Sequence, residues 1–275
     1  MPSSKAVLTT SIGQKWIMGL TGLFLVSFLF VHMSGNLLLF KSDGGAAFNE
    51  YTKFMTTNPL IKVAEWILFA GFIIHIIYAI RLSVQNNRAR PDKYKYTKPQ
   101  GSTWASRSMG LTGAVFFVYL VVHLTMFWGY YKFGGGLEGV NIETVYTDSW
   151  KVKETVGPFT DDLTGEEVFV KKGSYLDEDS YELLKANGVN TMKALSMTEV
   201  VKVSFGKWYI VVFYVIAMVI LAFHLSHGFQ SAFRTLGLVH KKYTPAIDLA
   251  GRLIAFIIPL TFAAMPVYYF IINSL

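Results

Sequence analysis

Five histidines stand in stretches that otherwise read as oil: His32 in FVHMSGN, His75 in FIIHIIYAIR, His123 in LVVHLTMFW, and His224 and His227 in LAFHLSHGF. Imidazole titrates near neutral pH and binds metals through either ring nitrogen. An ionisable group in apolar surroundings is costly, so each of these rings is a ligand, a proton relay or a hydrogen-bonded structural group. The sixth histidine, His240, precedes Lys241 and Lys242 and reads as a solvated surface residue. There are no cysteines, which excludes disulfides and thiolate-held clusters in this chain. No glycine-rich nucleotide fingerprint sits between a strand and a helix.

The elements that must position the histidines are apolar helices. Of 275 residues, 52% are hydrophobic and only 16% charged, too apolar for a soluble domain of this size. No Asp, Glu, Lys or Arg falls between Lys15 and Lys41, Arg107 and Lys132, Lys207 and Arg234, or after Arg252. A fifth apolar window around Leu60–Leu82 is interrupted by Lys62, Glu65 and Arg81. A membrane crossing needs about 20 apolar residues. The expectation is therefore an all-α membrane protein, a bundle of five spans near residues 12–40, 60–82, 108–131, 208–233 and 253–272, in one membrane domain covering 1–275. The first span is too long for a cleaved leader, and no small-x-small site follows it.

Loop charges orient the bundle. With a cytoplasmic N-terminus the inner segments carry +2, +6 and +3, and the outer ones 0 and −4. Lys and Arg in short loops gather on the inner side, so the net charge of +7 reflects topology and not nucleic-acid binding. Residues 132–207 form a long extracytoplasmic insertion. Its Gly and Asp clusters, together with its aromatic content, predict a small ordered cap.

The spans contain a repeat. Ser11–Gly35 aligns without gaps on Ser102–Met126 at an offset of 91, and MGLTG recurs at Met18–Gly22 and Met109–Gly113. A histidine follows fourteen residues after each Met, at His32 and His123. Spans 2 and 4 match more weakly, with His75 over His224 and Ala79 over Gly228. Spans 1–2 and 3–4 read as a parallel duplication. At about 1.5 Å per residue, His32 and His123 lie roughly 24–26 Å from the inner charges Lys15 and Arg107. His75 and His224 lie roughly 9 and 15 Å from Arg81 and Arg234. Each layer, outer and inner, draws one histidine from each half, the arrangement two bis-histidine centres stacked across the bilayer would need. Neutral imidazole suits haem iron, and small residues such as Gly19, Gly22, Gly35, Gly71, Gly110, Gly113 and Gly228 leave room for a flat macrocycle. His227 reads as a hydrogen-bonding neighbour of His224.

The motifs quoted above, with the opening SIGQKWIMGLTG, resemble the single-chain di-haem cytochrome b membrane anchor of bacterial succinate:quinone oxidoreductases, the succinate dehydrogenase/fumarate reductase family. The resemblance covers all five spans. It implies two haem b groups, a distal one on His32 and His123 and a proximal one on His75 and His224. It also implies a non-catalytic electron-transfer subunit of a respiratory, tricarboxylic-acid-cycle complex in the bacterial cytoplasmic membrane. A flavoprotein and an iron–sulfur protein would dock on the inner face, and a quinone, with menaquinone first in line, would exchange electrons in the membrane. A dimer of the complex is compatible with this. Arg81, Arg107 and Lys132 lie at helix ends suited to haem carboxylates. Quinone chemistry moves protons, and Glu65, the one carboxylate inside a span, is the first site candidate, with a snorkelling interfacial residue paired with Lys62 or a Lys15-like cation as the alternative. Glu50 is weaker, and Ser11 and Lys15 match an inner-site motif of mono-haem relatives.

Two departures matter. Some di-haem fumarate reductases carry a glutamate two residues before the last ligand, and here Ala222 stands there. The insertion at 132–207 is also longer than the usual loops. Two rivals share parts of the pattern: the cytochrome b subunit of a hydrogenase or formate dehydrogenase, and a haem-free proton-coupled transporter using the histidines as relays.

Overall fold

The computed structural model describes residues 10–43, 45–89, 104–133, 144–146, 155–160, 165–171, 178–189, 192–194 and 197–274, with backbone only at 104–107, 144–146, 178–181 and 192–194. Five helices among them are long and apolar enough to cross a membrane: Ser11–Phe40, Pro59–Arg88, Ser108–Phe133, Trp208–Thr235 and Thr244–Ser274. The chain is thus a mostly helical, multi-pass membrane protein.

Local chemistry sets several ends. Thr10 caps span 1 by accepting the Gly13 N–H at 3.1 Å. Asn58 caps span 2 through Leu60 N at 2.9 Å, with Pro59 in the first helical position, where its missing N–H costs nothing. Span 5 starts at Thr244, earlier than the charge-free window predicts. Arg252 ends the apolar window but not the helix, because the entering turns lie at the polar boundary, where Asp248 pairs with Arg234 of span 4 at 3.3 Å. Pro259 and Pro266 sit inside this helix.

Spans 1 and 2, 3 and 4, 1 and 4, and 4 and 5 pack along one another, whereas spans 2 and 3 barely touch. Span 5 lies chiefly on span 4 and reaches span 1, so it covers one side of the four-helix set. The main core runs through spans 4 and 5 into a cap at one end of the bundle, with Tyr214, Met218, Leu221, Met265 and Phe205 all buried.

That cap ties two loops together. The short helix Ala46–Thr57, between spans 1 and 2, meets the helix Met197–Phe205 that ends the insertion. Asn49 Oδ1 accepts the Thr198 N–H at 3.0 Å, and the Thr198 hydroxyl donates to Gly45 O at 3.0 Å. Gly45 has φ 89°, and a Cβ there would collide with Thr198, so glycine is required on both counts. The insertion also departs from an all-helical reading. Strands β1 (Thr144–Tyr146) and β4 (Met192–Ala194) pair antiparallel, as do β2 (Val156–Thr160) and β3 (Glu167–Val170). Phe159, Val170 and Leu184 make a small core of their own beside them. β-Branched and aromatic residues fill β1 (TVY) and much of β3 (EVFV), whereas β4 (MKA) has none and β2 (VGPFT) is broken by Gly157 and Pro158.

Candidate functional site: two histidine pairs

His32 and His123 face one another with ring centroids 5.9 Å apart, and His75 and His224 face one another at 6.5 Å. The interplanar angles are 84° and 69°. Two imidazoles bound on opposite sides of one metal, each through a bond of about 2.0 Å, hold their ring centres roughly 6 Å apart. Among the described residues no three His, Asp or Glu side chains gather into a metal cluster. Pairs suffice for an iron whose other four donors come from a porphyrin.

The hydrogen bonds say which nitrogen is available. Thr21 Oγ1 lies 2.7 Å from Ile17 O and 3.1 Å from His75 Nδ1. A hydroxyl has one proton, and the carbonyl, an obligate acceptor, takes it. With the hydroxyl proton on Ile17 O, His75 Nδ1–H donates to Thr21, and Nε2 keeps its lone pair. Thr112 repeats the arrangement more loosely, 3.2 Å from Met109 O and 3.5 Å from His224 Nδ1. In the His32–His123 pair the Tyr214 hydroxyl is 3.3 Å from His123 Nδ1. The Asn36 amide donates to its own turn at His32 O, 2.7 Å, and lies 3.4 Å from His32 Nδ1. None of the four Nε2 atoms has a hydrogen bond among the described residues. A ligand oriented by a bond on its other nitrogen is the usual design around a metal.

Small residues and aromatics complete the setting. A Cβ on Gly22 would lie 3.4 Å from His75 Cε1, and one on Gly113 would lie 3.5 Å from His224 Cε1, so MGLTG supplies both a hydrogen-bond acceptor and the space beside it. His32 stacks on Phe28 at 5.3 Å and meets Phe262 at 5.5 Å. His123 stacks on Tyr119 at 5.7 Å and meets Phe127 at 5.2 Å. Outside the spans, Tyr51 of the short outer helix presses its ring against Gly35, and burial pushes its phenol above the ordinary value.

The remaining expectations fall differently. His224, not His227, comes opposite His75. His227 is half-buried and makes no hydrogen bond or ring contact among the described residues. Lys132, expected to serve a porphyrin carboxylate, instead pairs with Glu65 at 3.4 Å, and Trp128 Nε1 donates to the same Glu65 oxygen at 2.7 Å. The cause is local: residues Leu124–Gly129, directly after His123, form a π-helical turn that changes which face the following residues present. Arg81, Ser11 and Lys15 are exposed toward helix ends, and Glu50 is exposed in the short helix Ala46–Thr57; none is brought to a histidine pair. The Arg107 side chain lies outside the described residues. Sequence reasoning missed Thr21, Thr112, Tyr214 and Trp128. The identical MGLTG pentapeptides were the available signal for the first two, and the other two carried none.

No protein-family model, curated protein or solved structure matches the chain.

Proposed function

We propose that the chain is the di-haem cytochrome b anchor of a succinate dehydrogenase or fumarate reductase complex, carrying electrons between an iron–sulfur subunit and a membrane quinone. The observation that carries this reading is the pair of facing histidine couples, one contributed by spans 1 and 3 and one by spans 2 and 4. The spacing of each couple would let both of its rings hold one iron, and no described residue hydrogen-bonds their Nε2 atoms. When bound, haem would supply a one-electron carrier whose iron changes oxidation state without changing ligands.

The protein's own work is holding, orienting and drying. His75 and His224 would hold the inner group, with Thr21 and Thr112 fixing the ring tautomers. His32 and His123 would hold the outer group between Phe28, Tyr119, Phe127 and Phe262, which exclude water. Glu65 is the protein's own proton-exchanging group at the outer end of span 2. Its Oε2 receives no hydrogen bond among the described residues, so a quinol hydroxyl can donate there.

A parallel duplication of spans 1–2 and 3–4 is supported by contacts that recur at the sequence offsets. Thr21 meets His75 as Thr112 meets His224. Phe28 stacks on His32 as Tyr119 stacks on His123. Gly19 packs on Ala232 as Gly110 packs on Ser83. The loop charges support an inward N-terminus in a bacterial cytoplasmic membrane, with the flavoprotein and iron–sulfur partners on the basic face. The test is purification from native membranes followed by addition of succinate. Reduction of the bound haem, with a flavoprotein and an iron–sulfur protein co-purifying, is expected; a tightly bound nickel or molybdenum protein contradicts the assignment.

A further inference from the structure

Span 3 changes its winding in one place, the π-turn Leu124–Gly129 immediately beyond His123. The matching place in span 1, after His32, has no such turn and instead tightens into a 3-10 segment at Leu37–Phe40. A π-turn accommodates one extra residue within an otherwise α-helical ladder. At about 100° per residue, an uninterrupted α-helix would put Trp128 about 140° and Lys132 about 180° around the axis from His123. The extra residue brings them back to about 40° and 80°. Without it both side chains would turn away from the side that His123 presents to the bundle. With it they converge on Glu65 of span 2, Trp128 Nε1 at 2.7 Å and Lys132 Nζ at 3.4 Å, both on Oε1. Phe69 packs across the Trp128 ring at 5.0 Å and Phe133 at 5.8 Å. This contact closes one end of the loose seam between spans 2 and 3.

We propose that Trp128 and Lys132 are positioning residues delivered by the π-turn: they occupy one oxygen of Glu65 and lock its rotamer, so that the other oxygen is presented to a quinol-class hydroxyl. This rests on the quinone reading of Glu65 given above. The carboxylate contributes the proton acceptor; the indole and the ammonium contribute aim.

The helical arithmetic makes an asymmetric test. Deleting Thr125, which is exposed, returns the segment to a plain α-helix with Trp128 and Lys132 still aimed at Glu65. Inserting one alanine after Thr125 swings both away by about 100°. In a helix without the extra residue, deletion and insertion would be equally damaging. The first readout is independent of quinone chemistry: the indole 15N–1H spectrum of the full chain, whose six tryptophans give six signals, with that of Trp128 assigned by its loss in Trp128→Phe. The Trp128 signal should move on Glu65→Gln in the native chain and in the Thr125 deletion, and should ignore Glu65→Gln in the insertion. A signal indifferent to Glu65→Gln in the native chain, or coupled to it in the insertion and not the deletion, overturns the register argument.

The second readout uses a short-chain naphthoquinol as reductant of the haem-loaded complex, with Lys132→Met, which keeps the helix intact should the insertion fail to fold. A misaimed base loses rate more than binding, so kcat should fall about tenfold or more with KM changed less than about threefold, and Lys132→Arg should restore it. Naphthoquinol kinetics unaffected by Glu65→Gln would sink the quinone site itself. Kinetics sensitive to Glu65→Gln but indifferent to Lys132→Met, or a loss confined to KM, would sink the positioning role alone.

Discussion

Replacing Thr21 by valine keeps the shape of the side chain and removes one oxygen. With its own proton on Ile17 O at 2.7 Å, that oxygen accepts His75 Nδ1–H at 3.1 Å. Ile17 O is already bonded within the helix, so its loss is small. The imidazole N–H, half-buried beside Gly22, is left without an acceptor, and stranding a buried donor costs about 1–3 kcal/mol. At about 1.4 kcal/mol per factor of ten, that is roughly a 5- to 150-fold loss in affinity of the inner site, overlapping the 10–100-fold typical of second-layer partners of metal ligands. Thr21→Ser keeps the hydroxyl and should lie near wild type. The assay is retention of haem on the purified chain against an excess of a haem-binding apoprotein, followed in the Soret band, with redox titration identifying which component leaves. The inner component should dissociate faster in Thr21→Val while the outer one stays. The looser contact of 3.5 Å at Thr112 predicts a smaller effect of Thr112→Val on the same component. Retention of both components at the wild-type rate, or selective loss of the outer one, would refute the tautomer argument.

Other outcomes follow from the same geometry. His224→Ala should remove the inner haem and leave the outer one spectrally present, whereas His227→Ala should keep both; loss of a haem only in the His227 variant reverses the assignment. His32→Ala should remove the outer component alone, and an unaltered redox titration would contradict the two-layer arrangement. Gly22→Leu places a branched side chain where a single Cβ already reaches 3.4 Å from His75 Cε1, and it should empty the inner site while the chain still inserts, read by haem content against membrane yield.

The spans were legible because membrane solvation penalises charge, so the charge-free windows mark the helices directly. The meeting of His32 with His123 and of His75 with His224 was legible because each pair stands at matching positions of similar sequence segments. Helix ends beyond the apolar boundary were not, as Thr244 and Arg88 show: charged turns continue a helix at the interface without any compositional mark. The insertion's strands also escaped, because runs of three to five residues carry too little periodicity to separate strand from turn. Glu65 was legible as an anomaly but its partner was not. An α-helical wheel places Lys132 on the wrong side, and only the π-turn, which LTMFWG does not announce, corrects the phase. Thr21 illustrates a third case, in which the pentapeptide was conspicuous and its role depended on a contact 54 residues away.

The central claim is that four imidazoles grip two iron porphyrins, one above the other. A pyridine haemochrome assay on the purified chain, normalised by quantitative amino-acid analysis, counts them directly. Two b-type haems per chain are predicted, falling to one in His32→Ala and one in His75→Ala; a chain purified from haem-replete cells with one haem or none would contradict the account.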